Sequence, residues 1–386
     1  MAGAQPLKGL KVVELARILA GPWAGQIFAD LGCEVIKVES LAGDDTRQWG
    51  PPFIDNRDGT KDAAYFHACN RGKSSITADF RNAQDLASVK KLIAEADIVI
   101  ENFKVGGLEQ FGLDYDTLSK DHPRLIYCSI TGFGQDGPYK ERAGYDFIIQ
   151  GMSGMMDLTG DPEGEPQKIG VALADIIAGL YATIGIQSAI IERERTGLGV
   201  YIDVALLDSM VGVLANQAMN YLLTGHPPQR MGNAHPNICP YEVFPAADGH
   251  FVLAVGNDRQ FRRLCEIIEQ PQLSDDPRFS TNAARVEHRE ALRALLEARF
   301  VHLGCAEILR LCEEQGVPAG RINNLEEVFE DPQVKARQLI LDLPGGVRGV
   351  RTPINYNGKR LFADGASPKL GSANAPPGRS IDEPET

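Results

Sequence analysis

The sequence predicts an α/β fold with a Rossmann-like parallel sheet in a large domain, accompanied by a smaller α+β domain. Residues 9–130 alternate short β-rich runs with helical patterns, which is typical of βαβ units. Residues 170–225 are helical in pattern, and beyond them short strands and turn residues begin anew. We therefore expect a large domain over 1–200, a linker helix over 201–225, a small domain over 226–325, and a C-terminal return over 326–386.

The strands and helices of the large domain are predicted from hydrophobic patterns and from the glycine and proline residues that end helices. Gly32 closes the first helix, and Pro123 stops a later short one. The predicted strands are "KVVEL", "EVIKVE", "DIVIEN" and "RLIYCSITGFG", and the predicted helices between them are "GPWAGQIFADLG", "DLASVKKLIAEA" and "YDTLSKDHP". Ligands of such sheets bind at the carboxyl ends of the strands. Polar residues cluster at three of these ends, in "ELAR", "ENFK" and "SITGFG".

The small domain is predicted to contain amphipathic helices and short strands. "RQFRRLCEIIEQ" and "HREALRALLEARF" have helical periodicity, and the second places Leu292, Leu295, Leu296 and Phe300 on one face. The final segment, "ASPKLGSANAPPGRSIDEPET", is rich in Pro, Gly, Ser and Ala, so we expect a poorly ordered tail.

Composition excludes several classes of protein. The 386 residues include 39 Lys and Arg against 52 Asp and Glu, a formal charge of −13, which argues against broad binding to nucleic acid or an anionic membrane. Seven scattered cysteines without CxxC spacing indicate free thiols in a reducing compartment. The N-terminus lacks a signal-peptide pattern, and no uninterrupted apolar run is long enough for a membrane span. We expect a soluble, cytoplasmic protein, or a matrix protein if a transit segment was removed.

Familiar catalytic motifs are missing from the sequence. There is no GxGxxG after the first strand, and GxxxxGK[ST], GxSxG and HExxH do not occur. The seven histidines are dispersed, so no metal site is predicted. The chemistry is therefore expected from other groups.

Cations beside small residues at two strand ends suggest a phosphate-bearing ligand. They occur in "HACNRGKSS" and "VIENFKVGG" and are Arg71, Lys73 and Lys104, with Lys37 and Arg47 as further candidates. Backbone N–H groups and lysines at strand-to-helix turns hold phosphates in α/β sheets. Phe103 and Asn102 offer a planar face and an amide to a base. For any single lysine, a solvated loop explains the pattern equally simply.

The segment 129–156 is dense in glycine and aromatic residues. Glycine permits close backbone approach and positive φ angles. The segment is interpreted either as a structural crossover loop or as the floor of a substrate pocket.

Asp175 is the one carboxylate in the apolar run "KIGVALADIIAGLYATIG". Burying an unpaired carboxylate is costly, and its pKa rises unless donors hold the charged form. If a helix begins near 175, the residue could be an N-cap that accepts from orphan backbone N–H groups. Alternatively, it is a desolvated nucleophile that forms an anhydride or ester.

Several motifs together resemble the class III (CaiB/BaiF-type) CoA-transferases over about residues 8–371. They are "VVELARILAGPWAGQIFADLGCEVIKVE", "GDDTRQWGPP", "ENFKVGGLEQFGLDYDTL", "SITGFGQDGPYKERAGYD" and "GVALADIIAGL". Later segments such as "GNAHPNICPYEVFPAADG" are similar to the succinyl-CoA:dicarboxylate, glutarate-type branch. The resemblance implies a large α/β domain, a small domain and an interlocked homodimer.

The resemblance also implies roles for individual residues. Asp175 matches the catalytic aspartate of the family. Acyl-CoA would be a substrate, with no permanently bound cofactor. The implied CoA contacts are Ile18, Leu19, Ala20, Arg71, Lys73, Asn102, Phe103, Lys104 and Arg142, and the implied substrate pocket includes Tyr145, Asp146 and His235.

The implied reaction moves CoA from an acyl-CoA to a small carboxylic acid through an aspartyl anhydride and an aspartyl-CoA thioester. A 2-methylacyl-CoA racemase of the same fold is the alternative enzyme. Such racemases resemble "AGHD" where this chain has "AGYD", so Tyr145 occupies the place of their histidine base. A phenol with an unperturbed pKa near 10 is a poor base for an α-proton at neutral pH. A non-catalytic CoA-binding protein is the third alternative.

Overall fold

The structure is a computed structural model that describes residues 5–56 and 59–374. Its chain forms two compact units. The large unit comprises the residues up to 155, residues 168–225 and the residues from 335 onward; the small unit comprises 156–167 and 226–334. The prediction for the small domain therefore misses the segment 156–167 and ends nine residues early.

The large unit is built on one six-stranded parallel sheet. The strands of its N-terminal part are β1 Lys11–Glu14, β2 Glu34–Glu39, β3 Phe53–Asp55, β4 Lys61–Ala63, β5 Ser74–Thr77, β6 Ile98–Glu101, β7 Ile126–Thr131 and β8 Tyr201–Ala205. The sheet order is β5-β2-β1-β6-β7-β8, and β3 pairs with β4 in a separate antiparallel ribbon. All five ladders of the large sheet are parallel, which confirms the predicted sheet.

Helices alternate with these strands or follow them along the chain, and some pack on the sheet through small and apolar side chains. They are α1 Ala20–Asp30, α2 Ala64–His67, α3 Ala83–Ala94, α4 Tyr115–Asp121, α5 Asp146–Met152, α6 Met155–Leu158, α7 Leu173–Thr196, α8 Leu206–Gly212 and α9 Ala215–Thr224. Asn82 caps α3 by accepting from the backbone N–H groups of Gln84 and Asp85. Gly197, with φ +76°, ends α7 in the left-handed conformation that glycine favours.

The prediction of a linker helix over 201–225 is wrong at its start. Residues 201–205 form β8, the edge strand that pairs with β7 in register from Tyr127 and Tyr201. The β-branched and aromatic residues of "YIDVA" suit a strand, and two helices, α8 and α9, follow.

The long helix α7 lies partly in the core of the large unit. Its length and apolar composition would allow it to span a membrane. However, Ala174, Ala178 and Ala182 are fully buried and pack in one cluster with Ala20 and Ala24 of α1. A Cβ atom on Gly179 would lie 2.7 Å from the carbonyl oxygen of Ala20, so only glycine permits this approach. We interpret α7 as a core helix of a soluble protein.

The small unit has its own sheet and core. Its antiparallel strands, in the order β11-β10-β9, are β9 Tyr241–Ala246, β10 Gly249–Ala254 and β11 Ala319–Arg321. Its helices are α10 Asp258–Ile267, α11 Asn282–Glu287, α12 Arg289–Phe300, α13 Cys305–Gln315 and α14 Leu325–Glu330, and α15 Pro332–Ala336 leads back to the large unit. Leu292, Leu296 and Phe300 are fully buried on α12, which confirms its predicted apolar face.

The C-terminal segment returns to the large unit. It carries β12 Ile340–Asp342, β13 Arg348–Val350, β14 Asn355–Tyr356 and β15 Lys359–Arg360. Elsewhere in the described residues, short 3₁₀ helices lie at Asp45–Gln48, Glu109–Phe111 and Pro271–Ser274, and a further one, Pro344–Gly346, lies between β12 and β13. The Ala373 N–H donates to the Ser75 carbonyl at 2.9 Å, and Asn374 bonds Thr77. Residues 371–374 thus bind the β5 edge of the sheet. The part of the predicted disordered tail beyond 374 lies outside the described residues.

Candidate active site

The candidate site is a cavity of about 390 Å³ at the carboxyl ends of the sheet strands. In the order β5-β2-β1-β6-β7-β8, the chain adds strands from β1 through β2 to β5 on one side, and from β6 through β7 to β8 on the other. The direction in which successive strands are added therefore reverses between β1 and β6. Ligands of open α/β sheets bind in the crevice at such a reversal. The loops after β1, β6 and β7 line the cavity, and Asp175 contributes to its wall.

Asp175 is the third residue of α7, and its carboxylate is half-buried. Within the described chain it has no hydrogen bond or ion pair. Burial, and to a smaller extent the negative charge of Asp146, together raise the pKa of Asp175 to about 7. At neutral pH a substantial share of this carboxylate is charged without a protein partner, which makes it available as a nucleophile.

Asp146, not Asp175, satisfies an orphan N–H group at the start of α7. The backbone N–H of Ala174 donates to Asp146 Oδ1 at 2.7 Å, and Gln150 Nε2 donates to Asp146 Oδ2 at 2.8 Å. Ala172 occupies the N-cap position without a side-chain bond. The N-cap interpretation of Asp175 is therefore wrong. Asp146, predicted as a pocket residue, bonds the start of α7 and is not among the residues that line the cavity.

Most of the predicted ligand contacts do line the cavity. They are Ile18, Leu19, Ala20, Asn102, Phe103, Lys104, Arg142 and Tyr145. The Arg142 guanidinium lies over the ring of Tyr139, 4.6 Å from its centroid, and 5.4 Å from that of Phe133. Tyr145 is 57% exposed. The structure thus brings residues from three distant parts of the sequence around Asp175.

Arg71 and Lys73 do not line the cavity, which corrects the expectation that they bind the ligand. Arg71 is 2% exposed and pairs with Asp30 through its Nη2, while Nη1 donates to the Val350 carbonyl. Lys73 Nζ lies 2.7 Å from Glu14 Oε2. Their charges are already satisfied inside the large unit, so the cation pattern in the sequence reflects internal ion pairs.

Lys37 and Arg47 are also enclosed by carboxylates. Lys37 Nζ is 2.9 Å from Asp44 Oδ2, and Arg47 pairs with Glu39 at 2.7 Å. Neither cation contributes to the cavity around Asp175. Long side chains can reach inward from a strand end, and the sequence does not reveal that direction.

His235 belongs to the small unit. Its Nδ1 accepts from the Asn237 N–H at 3.1 Å, and its ring centroid lies 5.2 Å from that of Tyr241. Burial, and then the nearby Arg289 charge, lower the pKa of His235, which favours the neutral imidazole. Its predicted role in the substrate pocket stays a prediction.

Two cations and a glycine pair of the cavity were not among the predicted site residues. Arg17 and Lys140 line the cavity and lie within the motifs "ELAR" and "SITGFGQDGPYKERAGYD", but neither was predicted as a ligand contact. A Cβ atom on Gly132 would lie 2.5 Å from the Cα of Gly144, so two loops meet here at backbone distance. The glycine density of 129–156 was the available signal, and this contact favours its interpretation as a pocket floor.

The sequence matches the family described as CoA-transferase family III over residues 7–374. The chain belongs to this family. It is 54% identical, over 96% of its length and 94% of the relative, to the succinate–glutarate CoA-transferase of Agrobacterium fabrum. It is 42% identical to the human succinyl-CoA:glutarate CoA-transferase, over 89% of this chain and 77% of the relative.

A solved structure supports the same assignment. The crystal structure of a CaiB/BaiF family protein from Brucella suis has a TM-score of 0.85 and 61% sequence identity, over 95% of this chain and 96% of that one. The resemblance identified in the sequence is confirmed, and the protein is a class III CoA-transferase.

Proposed function

We propose that this class III CoA-transferase moves CoA from succinyl-CoA to a dicarboxylate of the glutarate type. The observation that carries the proposal is an unpaired aspartate in a cavity at the switch point of the sheet. The names of the Agrobacterium and human relatives support the choice of donor and acceptor.

The acyl-CoA site extends over two neighbouring cavities of the large unit. Arg17 and Phe103 line both the Asp175 cavity and a second one of about 600 Å³ beyond β2. The thioester would lie at Asp175, and the nucleotide part of CoA would occupy the second cavity. Arg17, Lys104, Lys140 and Arg142 supply positive charge for phosphates or for the distal carboxylate of the acceptor.

Asp175 acts as a covalent nucleophile in the proposed mechanism. Its carboxylate attacks the succinyl-CoA carbonyl and displaces CoA thiolate, which gives an aspartyl–succinyl anhydride. The thiolate then attacks the aspartyl carbonyl, releasing succinate and leaving an aspartyl-CoA thioester. Glutarate attacks this thioester and displaces CoA thiolate, which gives an aspartyl–glutaryl anhydride. The thiolate then attacks the glutaryl carbonyl, forming glutaryl-CoA and releasing the Asp175 carboxylate. One thioester and one carboxylate replace another such pair, so no external energy source is needed.

The apolar surroundings of Asp175 suit this chemistry. Desolvation weakens the hydration of a carboxylate and limits hydrolysis of an anhydride. Ile18, Leu19 and Ile130 supply apolar surface to the cavity. Their role is to exclude water from the reacting carbonyl.

A second copy of the chain would cover the apolar surface of the large unit. Ile184 and Ile191 on α7 and Leu222 and Leu223 on α9 are each more than half exposed, at 57%, 67%, 71% and 78%. Exposed large apolar side chains of this kind are typical of protein–protein interfaces. We assign this surface to the interlocked homodimer implied by the family resemblance. The seven free cysteines suit a reducing compartment such as the cytoplasm.

Matched acceptors test the proposed substrate class. The enzyme is incubated with succinyl-CoA and either glutarate or pentanoate, which has the same chain length but lacks the distal carboxylate. Mass spectrometry should detect glutaryl-CoA and little pentanoyl-CoA. Equal use of both acids would refute a dicarboxylate acceptor.

Isotope transfer tests the covalent step. With glutarate labelled by oxygen-18, Asp175 should carry one labelled oxygen after a single turnover and up to two after many, because the bridging oxygen of the anhydride stays with the aspartate. Mass spectrometry of the peptide containing Asp175 detects it. An unlabelled peptide after many turnovers would exclude attack by the acceptor on an aspartyl thioester.

A further inference from the structure

Ile18 has a left-handed backbone conformation where it lines the Asp175 cavity. Its φ angle is +70°, a region that β-branched residues strongly disfavour. Such strain persists only where surrounding contacts over-determine the conformation, and it concentrates at functional sites. Those contacts come from Asn102 on one side of Ile18 and Asp44 on the other.

The Asn102 side chain binds both the backbone N–H and the backbone carbonyl of Arg17, the residue before Ile18. The Arg17 N–H donates to Asn102 Oδ1 at 2.9 Å, and Asn102 Nδ2 donates to the Arg17 carbonyl at 2.7 Å. These two bonds join the loop after β1 to the turn after β6, across the switch point of the sheet. The Oδ1 atom and one N–H group of the Asn102 amide are therefore already used in bonds to the backbone of Arg17.

Two buried carboxylates complete the arrangement. The Ile18 N–H donates to Asp44 Oδ2 at 3.2 Å, and Asp44 is itself held by Lys37 at 2.9 Å. The Glu101 carboxylate accepts from the Phe103 N–H at 2.7 Å and so fixes the turn that carries Asn102. Both carboxylates are at least 94% buried, which limits their freedom to move.

We propose that Asn102 and Asp44 are positioning residues that hold Ile18 in its strained conformation, and that Asn102 does not act as a CoA ligand through its amide. The clamp presents the backbone of Ile18, Leu19 and Ala20 to the thioester end of the acyl-CoA. Ala20 in turn packs on Gly179, one turn beyond Asp175, so the clamp sets the distance between the 18–20 loop and the nucleophile. This inference rests on the proposed acyl-CoA site.

Glycine rescue tests the clamp. Because glycine adopts positive φ at little cost, a chain with Ile18→Gly no longer needs the clamp. Asn102→Ala should lower kcat/KM about a hundredfold, the scale expected for misplacing a reacting group by about an ångström. Adding Ile18→Gly to Asn102→Ala should restore most of this loss.

Ile18→Ala is the matched control, since alanine also removes the side chain but still disfavours positive φ. The double variant Ile18→Ala/Asn102→Ala should stay as slow as Asn102→Ala. Asn82→Ala, which removes an asparagine bonded to the backbone of α3, controls for general destabilisation and should leave kcat/KM unchanged. Equal rates for the two double variants, or full activity of Asn102→Ala, would overturn the proposal.

A crystal structure separates this proposal from the proposed function. Asn102→Ala should move residue 18 out of the left-handed region, and Ile18→Gly/Asn102→Ala should keep it there. This result does not depend on which acids the enzyme uses. If the wild type transfers no CoA to dicarboxylates while the φ angles behave as expected, the substrate proposal fails and the clamp stands. A left-handed Ile18 in Asn102→Ala would refute the clamp directly.

Discussion

Asp175 and Glu14 are both carboxylates of the large unit, but their environments are opposite. Glu14 is fully buried and lies 3.1 Å from Lys37 Nζ and 2.7 Å from Lys73 Nζ. Asp175 faces a cavity and has no partner within the described chain. Removing one partner of a buried ion pair destabilises the fold strongly, because the remaining charge is left uncompensated. An unpaired, partly buried charge already costs stability, and such groups cluster at functional sites, where their chemistry is used.

Replacing Asp175 gives the largest expected effect. Asp175→Asn should lower kcat by about 10⁴-fold or more, because the nucleophile is lost. The same change should increase the free energy of unfolding near pH 8 by about 1–2 kcal/mol, because it removes an unpaired, partly desolvated charge. Steady-state kinetics and urea unfolding measure the two effects. Activity close to that of the wild type would contradict the catalytic role that distinguishes Asp175 from Glu14.

The same substitution at two lysines should separate fold from site. Lys73→Met leaves part of the buried Glu14 charge uncompensated and should destabilise the protein by about 3–5 kcal/mol. Lys104→Met changes an exposed cavity lysine, so it should alter unfolding by no more than about 0.5 kcal/mol while raising KM for succinyl-CoA. Denaturant unfolding and kinetics of both variants provide the comparison. If Lys73→Met instead raised KM with little change in the free energy of unfolding, Lys73 would be a ligand contact after all.

The pH dependence of the reaction should report the pKa of Asp175. Since burial raises this pKa to about 7, the protonated, inactive form dominates below it. We expect kcat/KM to rise as pH increases through about 7 and then to level off. The matching stability term has the opposite sign: the folded state binds the extra proton, so Asp175 reduces stability progressively as pH rises from about 4 to about 7. A flat rate profile across this range would contradict an unpaired Asp175.

Asp146→Asn should give the smallest effect. The asparagine oxygen can still accept from the Ala174 N–H, although the bond from Gln150 Nε2 is lost. The negative charge that contributes to the raised pKa of Asp175 is removed. The rising limb of the pH–rate profile should shift to lower pH while the plateau changes little. Asp116→Asn, an exposed change in the first turn of α4, is the control. A shift to higher pH would show that Asp146 acts mainly through the helix start.

Sequence periodicity predicted the parallel sheet and the apolar face of α12 because both depend on local patterns. It also placed Asp175 in an apolar setting, and the family motifs identified the reaction. It failed for Arg71 and Lys73 because their partners are distant in sequence: Asp30 lies 41 residues from Arg71, and Glu14 lies 59 residues from Lys73. Only the folded chain shows which charges are paired.

The Ala174–Asp146 bond illustrates the same limit for backbone groups. In the sequence, Asp175 is a candidate N-cap of its own helix, because aspartate is a common N-cap residue. The group that accepts from the helix start comes instead from α5, 28 residues earlier. The strained Ile18 was equally hidden, since nothing in "ARILAG" requires a left-handed residue.

The return of residues 371–374 to the sheet edge has a consequence for synthesis on the ribosome. Asn374 is made 297 residues after its partner Thr77, so the β5 edge stays without these contacts during most of that interval. All residues of the small unit precede this segment, so that unit can complete its own core earlier. The large unit, although its first strands are made before the small unit, is completed after it.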